Sequence, residues 1–262
     1  MTDLSPSQHL NRFLKARANL NGEDTVFWWK GYIYAYIPGE PSQRILGTEG
    51  FNIGRIEAVD GGYQMITREV NFYSDLETGE ILGQWSNPLN DKTVDVIQVW
   101  NDPVNQQFMK NGPRGAFAMP TEDLGNGQVC MYFDVMLAYP SPLPRSEYPL
   151  NSQSDLYQGA ELFQFFVNKD ELEDPATTDI MCSNSWTRIG PWLPWMEMGD
   201  HPGNLIYQCR GSKLTGGFES LPQHMQDYVM KHQPKYARAP EAFSTPNETS
   251  WTYFKKLKVE QG

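Results

Sequence analysis

The 262-residue chain has few cysteines, fewer cations than anions and no long apolar run, and each shortage removes a class of explanation. Its three cysteines, Cys130, Cys182 and Cys209, are odd in number, far apart and free of any C-x-x-C pair. That argues against a disulfide framework and a structural zinc site, and leaves buried, reduced thiols as the expectation. Lys and Arg total 21 against 32 Asp and Glu, a formal charge of −11. Such a chain repels phosphate backbones and anionic membrane surfaces, so no nucleic-acid partner is expected. No segment approaches the roughly 18 consecutive apolar residues of a membrane-spanning helix, and MTDLSPSQHLNRFLKARANL lacks the basic-then-apolar order of a secretory signal. The expectation is therefore no integral membrane segment and a cytoplasmic location, where the sequon Asn247-Glu248-Thr249 reads as chance.

Missing motifs narrow the chemistry further. There is no G-x-G-x-x-G after a strand, no G-x-x-x-x-G-K-[ST], no H-E-x-x-H and no G-x-S-x-G, so nucleotide, zinc-protease and α/β-hydrolase readings lack support. His9, His201, His224 and His232 form no close ligand pair, and no metal is expected. For an enzyme, chemistry without a cofactor is the remaining expectation.

What is present is aromatic and β-branched. Hydrophobic residues make up 39% and aromatic residues 13%, with eight Trp, which is enough to fill a core and excludes disorder over most of the length. Pro6 opens a segment with Leu10, Phe13 and Leu14 at helical spacing, predicting a helix over about 5–18. The pattern then changes to runs rich in Tyr, Trp, Phe, Val and Ile, separated by Gly, Pro, Asn and Asp. The clearest lie at 25–37, 51–59, 62–73, 93–100, 127–139, 161–167 and 204–210. VDGGY at 59–63 and Gly79 in DLETGE supply turn chemistry. YPSPLPRSEYPL at 139–150 carries four prolines and reads as an excursion over the surface or across a barrel mouth. A second helix is predicted over about 221–232, with Leu221, Met225, Tyr228 and Val229 on one face, packing on or plugging the sheet. Together these predict one all-β domain with a few peripheral helices: an antiparallel, closed or nearly closed barrel of calycin or lipocalin type, with a sandwich as the other closure.

Alternation along a strand divides each run into two faces. In 62–73 one face is Tyr63, Met65, Thr67, Glu69, Asn71 and Tyr73; in 127–139 one face is Gln128, Cys130, Tyr132, Asp134 and Met136, and the other is wholly apolar. Either the mixed faces meet solvent, or they line a ligand cavity while the apolar faces pack under helices or a second sheet.

Candidate chemistry starts from carboxylates. Asp102, beside Trp100 at the end of an apolar strand, could have a raised pKa and move a proton, or could form an Asx turn before Pro103. Glu69 and Asp134 sit mid-strand, where they could form an acid and base pair, anchor Arg55 or Arg188, or make surface ion pairs. SWTRIGPWLPWMEMGDHPG, residues 185–203, gathers Trp186, Trp192, Trp195, Met196 and Met198 around Arg188 and His201. Its prolines forbid a long central strand, so after a short strand ending near Trp186 it is expected to leave the sheet and wall a pocket at the barrel mouth. There Arg188 could stack on Trp186 or Trp192 and present its fork to a carboxylate or enolate oxygen, or form a buried salt bridge; His201 beside Asp200 could transfer a proton or simply bond its loop.

The ordered motifs E-x-x-x-Y-x-D-x-x-T-G-E from Glu69, W-x-N-P from Trp85, N-D-P-V-N from Asn101 and S-W-x-R-x-x-x-W-L-P-W-M-x-M-G from Ser185 resemble a family catalogued as domain of unknown function eighteen thirty-eight. The resemblance covers roughly residues 25–240 and implies a whole-chain domain with the Trp-rich stretch as a hallmark; it brings no reaction or catalytic residue. Three functions stay open. One is an isomerase, cyclase or lyase acting on a hydrophobic oxygenated molecule such as a terpenoid, steroid, polyketide or aromatic metabolite. In that reading Asp102, Glu69, Asp134, Arg188 and His201 are the catalytic candidates, and Trp100, Trp186, Trp192, Trp195, Tyr73, Tyr132 and Met196 hold the substrate. The others are a lipocalin-like carrier and a protein-interaction module built on an exposed Trp/Pro face. Self-association into a homo-oligomer is compatible with each.

Overall fold

The computed structural model describes residues 4–113 and 115–261. Helix α1 (Pro6–Arg17) begins where expected: the Ser5 side chain accepts from Gln8 N, and Gln8 Oε1 accepts from Ser5 N, a reciprocal capping box with Pro6 in the first turn. Three long strands follow, β1 (Thr25–Tyr36), β2 (Gln43–Val59) and β3 (Gly62–Ser74), with Gly61 at φ +76° closing the β2–β3 hairpin. Seven shorter strands come next: β4 (Gln84–Asn87), β5 (Lys92–Asp95), β6 (Val99–Asn101), β7 (Gln106–Met109), β8 (Asn111–Gly112), β9 (Gly115–Ala116) and β10 (Thr121–Gly125). Then come β11 (Gln128–Pro140), β12 (Leu156–Asn168), α2 (Lys169–Glu173), β13 (Cys182–Gly190), β14 (Asn204–Leu214), α3 (Gln223–His232) and α4 (Ser250–Gln261). The predicted strand at 93–100 is two strands, and those at 51–59 and 161–167 begin earlier, at Gln43 and Leu156.

Ten strands form one antiparallel sheet in the order β10-β11-β12-β13-β14-β1-β2-β3-β6, with β7 also pairing β3. Among the described residues no ladder joins β10 to β6 or β7, so the sheet is not closed by hydrogen bonds into the expected barrel. Its two ends instead come onto α1. The Phe13 ring lies 5.4 Å from Phe108 on β7 and 5.1 Å from Phe133 on β11. Helix α1 thus spans the two ends of the sheet by side-chain packing, where a closed barrel would have a ladder.

Three apolar clusters divide the interior. One surrounds α1 with Leu10, Phe13, Phe27, Met131 and Phe165. A second, at the opposite end, holds Trp29, Tyr73, Trp85, Trp192, Trp195 and Trp251. The third lies on the outer face of β2 and β3, where Phe51, Val70, Phe72 and Trp100 are covered by Met225 and Val229 of α3. The predicted C-terminal helix therefore packs outside the sheet, and α1 occupies the inside position. Helix α4 is an element the sequence reading missed, although Trp251 and Phe254 are spaced for one buried face.

Two lysines fix α1 at its C-terminal end. Lys213 Nζ, on the inner side of β14 and 1% exposed, donates to the carbonyls of Lys15 (2.6 Å) and Ala18 (2.9 Å) and pairs with Asp179. Lys15 Nζ in turn donates to the carbonyls of Leu172 and Asp174. A cation facing the last carbonyls of a helix meets the negative end of its dipole. Lys213→Met leaves those carbonyls and Asp179 without their donor, and is expected to lower unfolding free energy by about 2–4 kcal/mol in urea titration; an unchanged midpoint would show that α1 is held by apolar contacts alone.

Candidate functional site

Register determines what meets inside the sheet. Reading across paired strands, Val135, Glu161, Arg188 and Tyr207 form one inward row, and Phe133, Phe163, Trp186 and Cys209 the next. On the opposite side Phe27, Asn52, Glu69 and Asn101 form another row. These rows enclose a cavity of about 330 Å³, walled by Phe133, Phe163, Phe165 and Trp186 on one side and by Glu69, Asn71, Asn101 and Tyr73 on the other. The stretch 247–251, leading into α4, completes the wall. It is held by a reciprocal amide pair: Asn105 N donates to Asn247 Oδ1 (2.8 Å) and Asn247 Nδ2 donates to Asn105 O (2.7 Å).

Arg188 is the buried cation of the cavity. Its Nη2 donates to the Tyr157 hydroxyl (2.7 Å), its Nε lies 3.6 Å from Glu161 Oε1, and its guanidinium sits over the rings of Tyr207 (5.0 Å) and Trp251 (5.8 Å). Gly190 makes room for it, since a Cβ there would come within 3.1 Å of the guanidinium. Burial alone would lower its pKa, but the tyrosine oxygens and Glu161 hold it above the ordinary arginine value, so the group stays charged. Nη1 has no protein partner.

Glu69 accepts from Asn101 Nδ2 (3.0 Å). Its pKa is raised, first by burial and then by the nearby Glu161 carboxylate; the Asn101 and Asn52 amides and Arg188 oppose the shift without cancelling it. Glu161 is raised chiefly by burial, with Arg188 opposing. Tyr73 and Tyr207, buried neighbours, are also pushed up, Tyr207 to about 12, and remain neutral donors. At the other end Arg17 donates to Asn52 Oδ1 (2.9 Å) and lies over Phe27 (5.1 Å), with burial lowering its pKa to about 10. Among the described residues, seven buried side-chain polar atoms lack a hydrogen-bond partner, and four of them, Asn101 Oδ1, Asn184 Oδ1, Trp186 Nε1 and Arg188 Nη1, belong to residues lining this cavity. No group of three or more His, Cys, Asp and Glu side chains gathers for a metal ion among the described residues, and the three cysteines are free and buried.

The sequence candidates separate into two groups. Glu69, Tyr73, Trp186 and Arg188 line the cavity. The others do not. Asp102 and Trp100 fall on the outward side of β6, because the strand breaks between Asp95 and Val99 and Asn101 takes the inward position. Asp102 pairs with Lys235 (2.8 Å) and Arg68 (3.0 Å); burial pushes its pKa up, but these cations outweigh burial and hold it below the ordinary value, contrary to the raised value expected. Trp100 packs on Tyr228 and Tyr236. Asp134 and Tyr132 are exposed on the outer face of β11, whose apolar face is the one that lines the cavity; Tyr132 bonds Glu122 there. The polar face of this strand meets solvent, the first of the two arrangements that alternation left open, so Asp134 and Tyr132 do not serve the cavity as candidates.

The Trp-rich stretch also differs from expectation. Strand β13 continues to Gly190, and Pro194–Met196 then form a 3-10 turn. Trp192, Trp195 and Met196 are packed core, with Trp195 against Tyr73 (5.3 Å) and Trp85 (5.9 Å), so no exposed indole face exists in this stretch. Only Trp186, Arg188 and Leu193 of the stretch reach the cavity. His201 lies outside it, its carbonyl accepting from Trp192 Nε1 (2.9 Å). Glu161, Tyr157, Tyr207, Asn101 and Arg17 were not anticipated; the available signal for Glu161 was a lone carboxylate in the apolar run ELFQFFV, the same signal that marked Glu69.

The raised carboxylates make stability depend on pH. The folded chain keeps protons on Glu69 and Glu161 where unfolded carboxyl groups, near 4.5, have released them, so stability falls as pH rises above 4.5 until the raised values are passed. Glu69→Gln removes one titration, and its urea midpoint is expected to vary less with pH across that window; an equal slope in wild type and variant would mean Glu69 titrates normally.

Residues 22–258 match the family described as Protein of unknown function (DUF1838). No curated protein matches the chain in sequence. The match runs from before β1 through most of α4 and includes every cavity-lining residue except Phe13 and Arg17. The chain therefore belongs to this family of unknown function, and the cavity is built almost wholly within the family's segment.

Proposed function

We propose that the chain is a cofactor-independent enzyme of isomerase, cyclase or lyase type, acting by acid/base chemistry on a compact, hydrophobic, oxygenated molecule held in the interior cavity. The observation that carries this reading is the pair of recessed carboxyl groups, Glu69 and Glu161, both with raised pKa beside the charged Arg188. Two carboxyl groups that resist simultaneous ionisation can take a proton at one position and return it at another. Arg188 and the neutral tyrosine hydroxyls hold a substrate oxygen, and the Phe and Trp walls exclude water from the rest.

Size narrows the substrate. At about 330 Å³ the cavity lies at the lower end of the range for small-molecule sites, which favours a compact ligand. A monoterpenoid or a simple aromatic fits this better than a steroid. The sheet curled onto α1 then acts as a barrel would, surrounding the ligand on most sides, and the chain acts in the cytoplasm. Within the described residues no helix is long and apolar enough to cross a membrane. The wide apolar walls also favour a second reading, a carrier that holds such a molecule without changing it.

Incubation in D2O with a panel of hydrophobic ketones, lactones, phenols and carboxylic acids separates the two readings by mass spectrometry. Proton transfer to carbon leaves deuterium in the recovered compound or converts it. Glu69→Gln is expected to cut that rate by about 10²–10⁴-fold, and Asp102→Asn, outside the cavity, to leave it unchanged. A compound that saturates the protein and is recovered unlabelled and unchanged supports the carrier and overturns the enzyme.

A further inference from the structure

We propose that the oxygen held by Arg188 is a carboxylate, so that the cavity takes a compact hydrophobic acid, with Arg188, Tyr207 and Tyr73 as its receptor. The inference rests on the cavity being the functional site and deepens that reading by naming the ligand's charge.

Two observations lead to it. First, Arg188 is nine-tenths buried and lines the cavity, yet its Nη1 donor has no partner in the protein, whereas Nη2 is bonded to Tyr157. A buried guanidinium N–H left unmade is costly, and a charged acceptor compensates it better than a neutral carbonyl. Second, the hydroxyl groups near the guanidinium are donors. Tyr73 and Tyr207 are buried, protonated and adjacent, and the rings of Tyr207 and Trp251 flank the guanidinium. Nothing on this side competes as an anion except Glu161, whose contact with Nε is long at 3.6 Å.

The hydrophobic remainder of such a ligand would lie along Phe133, Phe163 and Trp186, toward Phe27.

The probes are phenylbutyrate, of about a dozen heavy atoms, and phenylbutanol, of the same shape without the charge. Both are titrated against intrinsic tryptophan fluorescence, which Trp186 and Trp29 on the cavity wall report. The acid is expected to bind at least tenfold more tightly than the alcohol. Arg188→Gln is expected to abolish that preference. Because that substitution leaves Glu161 without its cation and can unfold the chain, Tyr207→Phe serves as the milder variant, expected to reduce the preference severalfold with the circular dichroism spectrum intact. Equal or tighter binding of the alcohol by the wild-type protein overturns the proposal, as does failure of phenylbutyrate to bind at millimolar concentration, or an undiminished preference in a folded Arg188→Gln protein. Binding is read without turnover, so the two ideas fail separately. A preference for the acid with no deuterium exchange describes a carrier of hydrophobic acids, whereas exchange confined to neutral compounds, with no acid preference, removes this inference alone.

Discussion

Burial of one guanidinium governs the interior. Arg188 on β13 is accommodated only because Glu161 on β12, Tyr157 on the same strand, Tyr207 on β14, Trp251 on α4 and the bare backbone of Gly190 converge on it. A cation removed from water is expensive unless it is paired and hydrogen-bonded. The partners that meet this cost come from three adjacent strands and the last helix, so the requirement to solvate Arg188 fixes strand register and the seat of α4 together. A one-residue slip between β12 and β13 would turn Glu161 outward and leave the cation facing apolar side chains.

The same requirement explains why the cavity is asymmetric. Apolar residues fill the β11 and β12 side, where Val129 to Tyr139 present one unbroken apolar face. Polar residues collect on β3 and β6, where Glu69, Asn71 and Asn101 face inward and the Asn101 amide donates to the carboxylate. Placing the second carboxylate at Glu161, between the cation and the apolar wall, couples the two sides electrically: ionising either Glu raises the cost of ionising the other, and Arg188 lowers both.

Strand content, the two predicted helices and the antiparallel pairing were legible because local patterns encode them. A capping box writes the start of α1, and Asp-Gly-Gly writes a hairpin. Which face turns inward was not legible. On β3 the mixed face lines the cavity, and on β11 the apolar face does; alternation identifies two faces but says nothing about which one curvature will select. Asp102 was misplaced for a related reason. Treating 93–100 as one strand carried the alternation through a break at Val96 to Gln98, and parity was lost by the time it reached Trp100. Glu161 was missed because the strand was started at that residue, which made a mid-strand carboxylate look like a boundary charge. Long-range packing decided Trp192 and Trp195: proline spacing does make them leave the sheet after Gly190, but the chain folds back, burying Trp192 in the same cluster and packing Trp195 against Tyr73 and Trp85.

The Trp-rich stretch consequently has two tasks along its length. Its first half, in β13, contributes Trp186 and Arg188 to the cavity, alternating with Ser185, Thr187 and Ile189 on the outer face. Its second half seals the end of the sheet, and Asn87, at the end of β4, and Asn90, in the turn from β4 to β5, donate to the Met196 carbonyl from across the chain. Rigid indoles and prolines suit this sealing role because they lose little rotamer freedom on packing. A firm end wall keeps Tyr73, which touches Trp195, in register with Tyr207 and the guanidinium. Side chains that never touch a ligand thereby set the position of those that do, and the packed tryptophans matter to the site through the tyrosine they hold.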